Sequence, residues 1–213
     1  MLMPGEPLVN DHPAGVIKLP QPRNDSQTSV ESALRRRRSI REFGNAGVTL
    51  AEVSQLLWAS QGITDPEGKR TAPSAGALYP LEALVVAGGQ DDLPAGIYRY
   101  RPQSHDIVPV VRGDKRWPLA RAALEQDWLN DAPVTIVIAA VYERTAKKYK
   151  GRADRYVHIE VGHAAQNVHL QAVALELGTV VVGAFDDAEV KQVLALGTDE
   201  EPLCLRPVGK PRW

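Results

Sequence analysis

Five of the seven residues from Arg35 to Arg41 are arginine, and Ser39 among them adds a hydroxyl. Guanidinium groups bind phosphate through paired, charge-assisted hydrogen bonds, so Arg37, Arg38, Ser39 and Arg41 can form a phosphate clamp. The same run suits a solvated basic face whose cations complement the C-terminal dipole of a helix, and by itself the sequence weighs the two readings equally. A second segment, Pro73, Ser74, Ala75 and Gly76 running on to Pro80, has rigid ends and small residues that let a backbone come close to a flat ligand, as well as serving an ordinary tight connection. Val182, Gly183 and Ala184 repeat that logic at the end of an apolar run, where exposed N–H groups can donate to an acceptor. Lys210 and Arg212 add two cations close to the C-terminus, where solvated tail charges are the commoner role.

Several chemistries lack their motifs. There is no G-x-G-x-x-G after a strand, no G-x-x-x-x-G-K-[ST] and no G-x-S-x-G, which removes the sequence support for a Rossmann site, a P-loop and a hydrolase elbow. His158, His163 and His169 share one predicted helix, but their spacings rotate them by roughly 140° and 240°, so they do not converge on a metal. The 25 basic and 26 acidic side chains leave a formal net charge of -1, giving no field that would draw the chain to nucleic acid or an anionic membrane. Cys204 is the single cysteine and lies in an apolar run, which fits an inert core thiol in a reducing, cytoplasmic compartment.

The elements that must position these groups follow from periodicity and caps. Thr28 to Glu31 reads as a capping box for a helix running through the arginines to near Ser39, and Thr49 to Glu52 as a second box for a helix closed by Gly62. Ala83 to Ala87 predicts a buried strand, Gly96 to Tyr100 and Ile107 to Val111 a hairpin, and Trp117 to Trp128 a helix. Val134 to Val141 is the apolar run of a central strand covered on both faces. Tyr156 to Leu177 is the longest helical candidate; its two apolar stripes predict burial nearly all round, of the kind found in a dimer interface, with Gly178 as its stop. Thr179 to Phe185 predicts a strand, Asp186 to Glu189 the box of a helix through Leu194, and Leu203 to Val208 a last strand. The irregular mixture of elements favours an α+β class with a mixed, mostly antiparallel sheet flanked by helices. Residues 1–27, with prolines at 4, 7, 13, 20 and 22, read as an extended arm, either disordered or wrapped on a partner subunit, ahead of a single domain over residues 28–213.

In order, the segments Arg37 to Phe43, Pro73 to Glu82, Tyr156 to Asn167 and Gly178 to Asp186 resemble the nitroreductase superfamily, and most closely its SagB-type dehydrogenase branch. The resemblance spans about Ile17 to Pro211. It implies an FMN-dependent oxidoreductase whose homodimer builds two flavin sites from both subunits. Arg37, Arg38, Ser39 and Arg41 would then hold the phosphate and ribityl chain, joined by Lys210 and Arg212. Pro73, Ser74, Ala75 and Gly76 would line the ring from the other subunit, and Val182, Gly183 and Ala184 would face its N5 and O4 edge. Lys148 and Tyr149 resemble the Lys-Tyr pair of the branch members that oxidise thiazolines and oxazolines, and so become the candidate catalytic residues. Hydride would come from NAD(P)H or an organic substrate, and the substrate would be a small molecule or peptide-derived. A non-catalytic flavin- or nucleotide-binding module is the alternative.

Overall fold

The computed structural model describes residues 15–90 and 92–212. At its centre β5 (Val134–Ala140) is buried along its whole length, as its unbroken apolar run requires. It pairs antiparallel with β2 (Leu81–Ala87) on one side and β7 (Glu201–Gly209) on the other. The hairpin of β3 (Gly96–Arg101) and β4 (Asp106–Arg112) extends the sheet beyond β2. Two short strands, β1 (Ile17–Lys18) and β6 (Gly178–Thr179), form the edges, completing among the described residues the order β1-β4-β3-β2-β5-β7-β6. Every pairing of these strands is antiparallel, while an isolated bridge from Ser39 to Thr179 is parallel. The mixed, mostly antiparallel α+β expectation therefore holds.

Helices cover both faces. On one lie α2 (Leu50–Gln61) and α6 (Ala153–Ala174), whose Leu56, Leu57, Val168 and Ala172 join Val85, Ile136 and Val208 in the main core. On the other, α3 (Arg116–Ala122), α4 (Trp128–Asp131) and α7 (Asp187–Val193) pack Leu119, Leu129 and Val190 against Leu84, Val137 and Leu205. Between β5 and α6, α5 (Tyr142–Tyr149) carries the Lys148-Tyr149 pair at its C-terminal end. The capping box at Thr49 is complete, Thr49 accepting from the Glu52 N–H and Glu52 from that of Thr49. Gly62 ends this helix by proximity, not by a left-handed turn, because a Cβ there would meet Trp58 Cδ1 at 2.1 Å.

Several expectations need correcting. The first helix, α1 (Val30–Arg36), is capped by Ser29, not Thr28, and ends before Arg37. Arg37 to Arg41 are extended because their backbone is taken up by the sheet edge, Ile40 N–H donating to the Thr179 carbonyl at 3.0 Å. The helix expected from Trp117 to Trp128 breaks into α3 and α4 at Leu124 and Glu125, both at φ 57°. Glu176, at φ 58°, turns the chain after α6, while Gly178 is needed for close packing, its Cβ position lying 2.7 Å from Ile40 Cγ2. Within one chain α6 buries a single face, through Val157, Glu160, Ala164, Val168 and Ala172, and leaves Ile159 49% exposed. Of the expected arm, residues 1–14 lie outside the described residues, while Ile17 and Lys18 pair with β4 and Arg23 exchanges hydrogen bonds with Gln55 on α2.

Candidate functional site

Strand pairing brings the arginine run and the C-terminal cations together. Ser39 bridges to Thr179, Phe43 bridges to Pro211, and the Gly44 N–H donates to the Lys210 carbonyl at 2.9 Å. These links frame a cavity of about 790 Å³ lined by Arg35, Arg36, Arg38, Ile40, His169, Val173, Glu176, Leu177, Thr179, Lys210 and Pro211. Arg38 is exposed and its Nη1 donates to the carbonyls of Arg35 and Arg37 at 3.0 and 2.7 Å, holding its guanidinium at the end of α1. Lys210 is tethered by Glu52 Oε1 at 2.6 Å. Other expected members lie elsewhere: Arg41 stacks 5.7 Å from the Trp128 ring centre, and Arg212 is exposed with its N–H on the Glu42 carbonyl. Ser39 and Arg37 flank the cavity without lining it.

Two buried polar residues stand behind or at this cavity: Arg206, which the sequence reading did not single out, adds a charge, and His169, considered there only as a metal ligand, adds a neutral ring. Arg206 lies fully buried on β7, its Nη2 3.5 Å from Thr179 Oγ1 and its Nε and Nη1 without partners. Burial pulls its pKa down to about 10, which leaves it charged at neutral pH. Burial, reinforced by the Arg206 charge, pushes His169 down to about 4, so its ring is neutral. Its Nε2 lies 3.0 Å from the Arg38 carbonyl, which can only accept, and this assigns the ring proton to Nε2. The signal in the sequence was Arg206 itself, a charge inside the apolar run of a buried strand.

The second group gathers around the 73–76 segment. Gly76 sits at φ 65°, and a methyl added to it would lie 2.9 Å from both Lys148 Nζ and Tyr149 Oη. Both candidate catalytic head groups therefore reach the same backbone position. Tyr149 is braced edge-on by Tyr156, with ring centres 4.8 Å apart. Ser74 Oγ accepts from the Tyr79 N–H at 2.9 Å. Beneath it lies Glu160 of α6, 2% exposed, with Oε1 unpartnered. Desolvation pushes the Glu160 carboxyl from the ordinary 4.5 up to about 7, against the Ser74 hydrogen bond, the Arg70 charge and the Ala75 hydrogen bond, which pull it down. Glu160 is another residue the sequence reading passed over, because its apolar neighbours on α6 gave no sign of a polar partner across the fold.

At the third segment, Val182 exchanges both backbone hydrogen bonds with Leu205, pinning the chain to β7, whereas Gly183 and Ala184 are exposed. The Ala184 carbonyl accepts from Gln126 Nε2 at 2.7 Å. Gly183 has open space where a Cβ would stand, so close packing within this chain does not demand the glycine.

Glu160 makes stability depend on pH. Its raised pKa means the folded chain binds the proton more tightly than the unfolded one, so its contribution is full below about 4.5 and is lost as pH rises through about 7. Glu160→Gln keeps an oxygen that accepts from Ser74 but cannot ionise. The variant is expected to match the parent near pH 5 and to exceed it at pH 8, by at most about 3 kcal/mol. Denaturant unfolding at both pH values checks this; a variant weaker than the parent at pH 8 would show that the ionised carboxylate is welcome there.

The chain matches the nitroreductase family over residues 34–210. A nitroreductase-type protein of Methanocaldococcus jannaschii is 46% identical over 184 residues, which cover 86% of this chain and 92% of that protein. The microcin B17-processing protein of Escherichia coli is 26% identical over 156 residues, 70% of this chain but only 57% of the relative's length. Among solved structures, a nitroreductase-type protein of Ralstonia eutropha superposes with a TM-score of 0.81 at 27% identity, covering 99% of this chain and 100% of that one. The NADPH:FMN oxidoreductase of Vibrio harveyi, at 20% identity, shares the fold with a TM-score of 0.63 over 86% of this chain and 69% of its own. The matched span contains the arginine run, the 73–80 segment, α6 and Lys210, and the chain therefore belongs to the nitroreductase family of oxidoreductases.

Proposed function

We propose that the protein is an FMN-dependent oxidoreductase of the SagB-type dehydrogenase branch, acting as a cytoplasmic homodimer. The observation that carries this reading is the cationic cavity: Arg38 and Lys210 at its rim, Arg35 and Arg36 beside them, and buried Arg206 behind Thr179 and His169. This donor set fits a terminal phosphate, since guanidinium and ammonium groups supply charge-assisted hydrogen bonds and, among the described residues, no carboxylate but Glu176 lines the cavity. A mononucleotide is favoured over FAD because no dinucleotide motif is present.

When bound, FMN would supply the hydride chemistry, with NAD(P)H or an organic substrate as donor. The chain's own groups have narrower tasks. Arg38, Ser39 and Lys210 would hold the phosphate and ribityl end. Pro73, Ser74, Ala75 and Gly76 would line the ring, and the exposed amides of Gly183 and Ala184 would donate at its acceptor edge. Lys148 and Tyr149, meeting at Gly76, would move a proton to or from a small-molecule or peptide-derived substrate. Dimerisation accords with the apolar side chains left uncovered on the helices, Val30 at 65%, Leu34 at 53% and Ile159 at 49% exposure.

The purified protein is expected to be yellow, to release FMN on heating and to scatter light as a dimer. Mass spectrometry of the released chromophore identifies it, and consumption of reduced nicotinamide separates a turning-over enzyme from a silent flavin carrier. No flavin bound after reconstitution with excess FMN would remove the reading.

A further inference from the structure

A second cavity, of about 400 Å³, opens where β2 begins and β3 ends, and is lined by Gln61, Arg70, Glu82, Arg99, Arg101 and Arg144 among others. Three of its four arginines are already matched by three carboxylates. Arg99 holds Glu200 through paired bonds of 2.6 and 2.8 Å and also touches Glu82; Arg101 holds Asp106, and Arg144 holds Glu82. Arg70 differs: among the described residues it forms no direct ion pair, although Glu82 and Glu160 lie near enough to attract its charge. Its Nη1 donates to Gln61 Oε1 at 2.7 Å, and its guanidinium lies 4.4 Å from the Tyr79 ring centre. Gln61 is in turn 1% exposed, and its Nε2 has no partner.

The cavity thus has one guanidinium without a direct carboxylate partner and one buried amide donor without an acceptor. A buried donor without an acceptor costs stability, and a half-buried guanidinium whose carboxylates stand off beyond hydrogen-bond reach leaves its own donors open to an acceptor. A guanidinium fork beside an amide N–H suits the two oxygens of a carboxylate. Since only one guanidinium lacks a direct partner and carboxylates stand nearby, a monoanion suits the site better than a phosphate that is partly dianionic at neutral pH. We infer that this cavity is a binding site for the carboxylate group of a small organic acid, held by Arg70 and the Gln61 amide. It is separate from the cavity at Arg38 and does not depend on the flavin reading. It does share a wall with the candidate reaction segment, because Arg70 stacks on Tyr79, whose N–H is held by Ser74.

Calorimetric titration of the full-length protein with benzoate, with and without saturating FMN, tests the site. One saturable benzoate site per chain is expected, with the same affinity in both conditions and with phosphate binding there more weakly. Arg70→Gln should weaken benzoate by about tenfold to a hundredfold. Gln61→Glu, which sets a carboxylate beside Arg70 in place of the free amide, should abolish binding and serves if Arg70→Gln does not fold. Absence of saturable binding, competition with FMN, tighter binding of phosphate, or undiminished affinity in the folded variants would each overturn the assignment. Failure of the flavin reading shows itself separately, as a colourless protein whose Arg70-dependent benzoate binding is intact.

Discussion

Replacing Tyr149 by phenylalanine is expected to slow the half-reaction with an organic substrate by about 10²–10⁴-fold, the range over which a positioned proton donor acts, while FMN content stays unchanged. The geometry behind this is the convergence on Gly76. Lys148 and Tyr149 are sequence neighbours at the end of α5, yet both head groups approach one backbone position of the 73–76 segment. Lys148 Nζ also lies 5.5 Å from the Tyr149 ring centre, so the ammonium remains beside the phenol it would assist. The Tyr156 ring packs against Tyr149, which restricts the side chain and makes removal of the hydroxyl alone a clean change. Lys148→Ala should act in the same direction. Stopped-flow measurement of the two half-reactions separately locates the effect, and parental rates for both variants in both half-reactions would retire the pair as catalytic.

Arg38→Ala is expected to weaken FMN binding by about tenfold to a hundredfold, because a lost hydrogen bond to a charged group costs about 1.5–3 kcal/mol. Arg38 is exposed at the cavity and is held there by two carbonyls at the end of α1, so its guanidinium is placed before any anion arrives. The same contacts oppose the negative end of the helix, and thermal unfolding of the flavin-free variant reports that smaller loss independently. Arg41→Ala is the informative comparison. Its guanidinium lies over Trp128 and outside the cavity lining, so its loss should change FMN affinity far less. Fluorescence titration at fixed ionic strength checks both. Equal losses in the two variants would mean that general basic charge, not placement, attracts the phosphate.

The residues of the candidate site were legible to different degrees. Arg38 and Lys210 stood out by type, and strand pairing puts both on one cavity. Arg41 and Arg212 stood out equally, but the stacking of one on Trp128 and the turn of the other into solvent depend on side chains far along the chain. Glu160 and Arg206 were passed over and His169 was weighed only as a metal ligand, since the burial of each depends on what distant parts of the fold pack over it. Their perturbed pKa values arise first from desolvation, which depends on what the rest of the fold packs over them. The Arg70 site is of the same kind, assembled from the end of α2, the loop before β2 and the ring of Tyr79.

By itself the sequence determined what nearest-neighbour physics determines: the Thr49-Glu52 capping box, the β3-β4 hairpin, the continuous apolar strand β5 and the long helix α6. Each depends on interactions a few residues apart, whose strength is written in residue types and periodicity. Only the tertiary structure decided that the arginine run leaves α1 at Arg37, that Gly178 makes room for Ile40, and that α3 and α4 separate at Leu124. In the first case helical hydrogen bonds compete with pairing to Thr179, and the outcome turns on an edge strand more than a hundred residues away. Such contests are settled by packing and backbone satisfaction across the whole sheet, which local propensity does not contain.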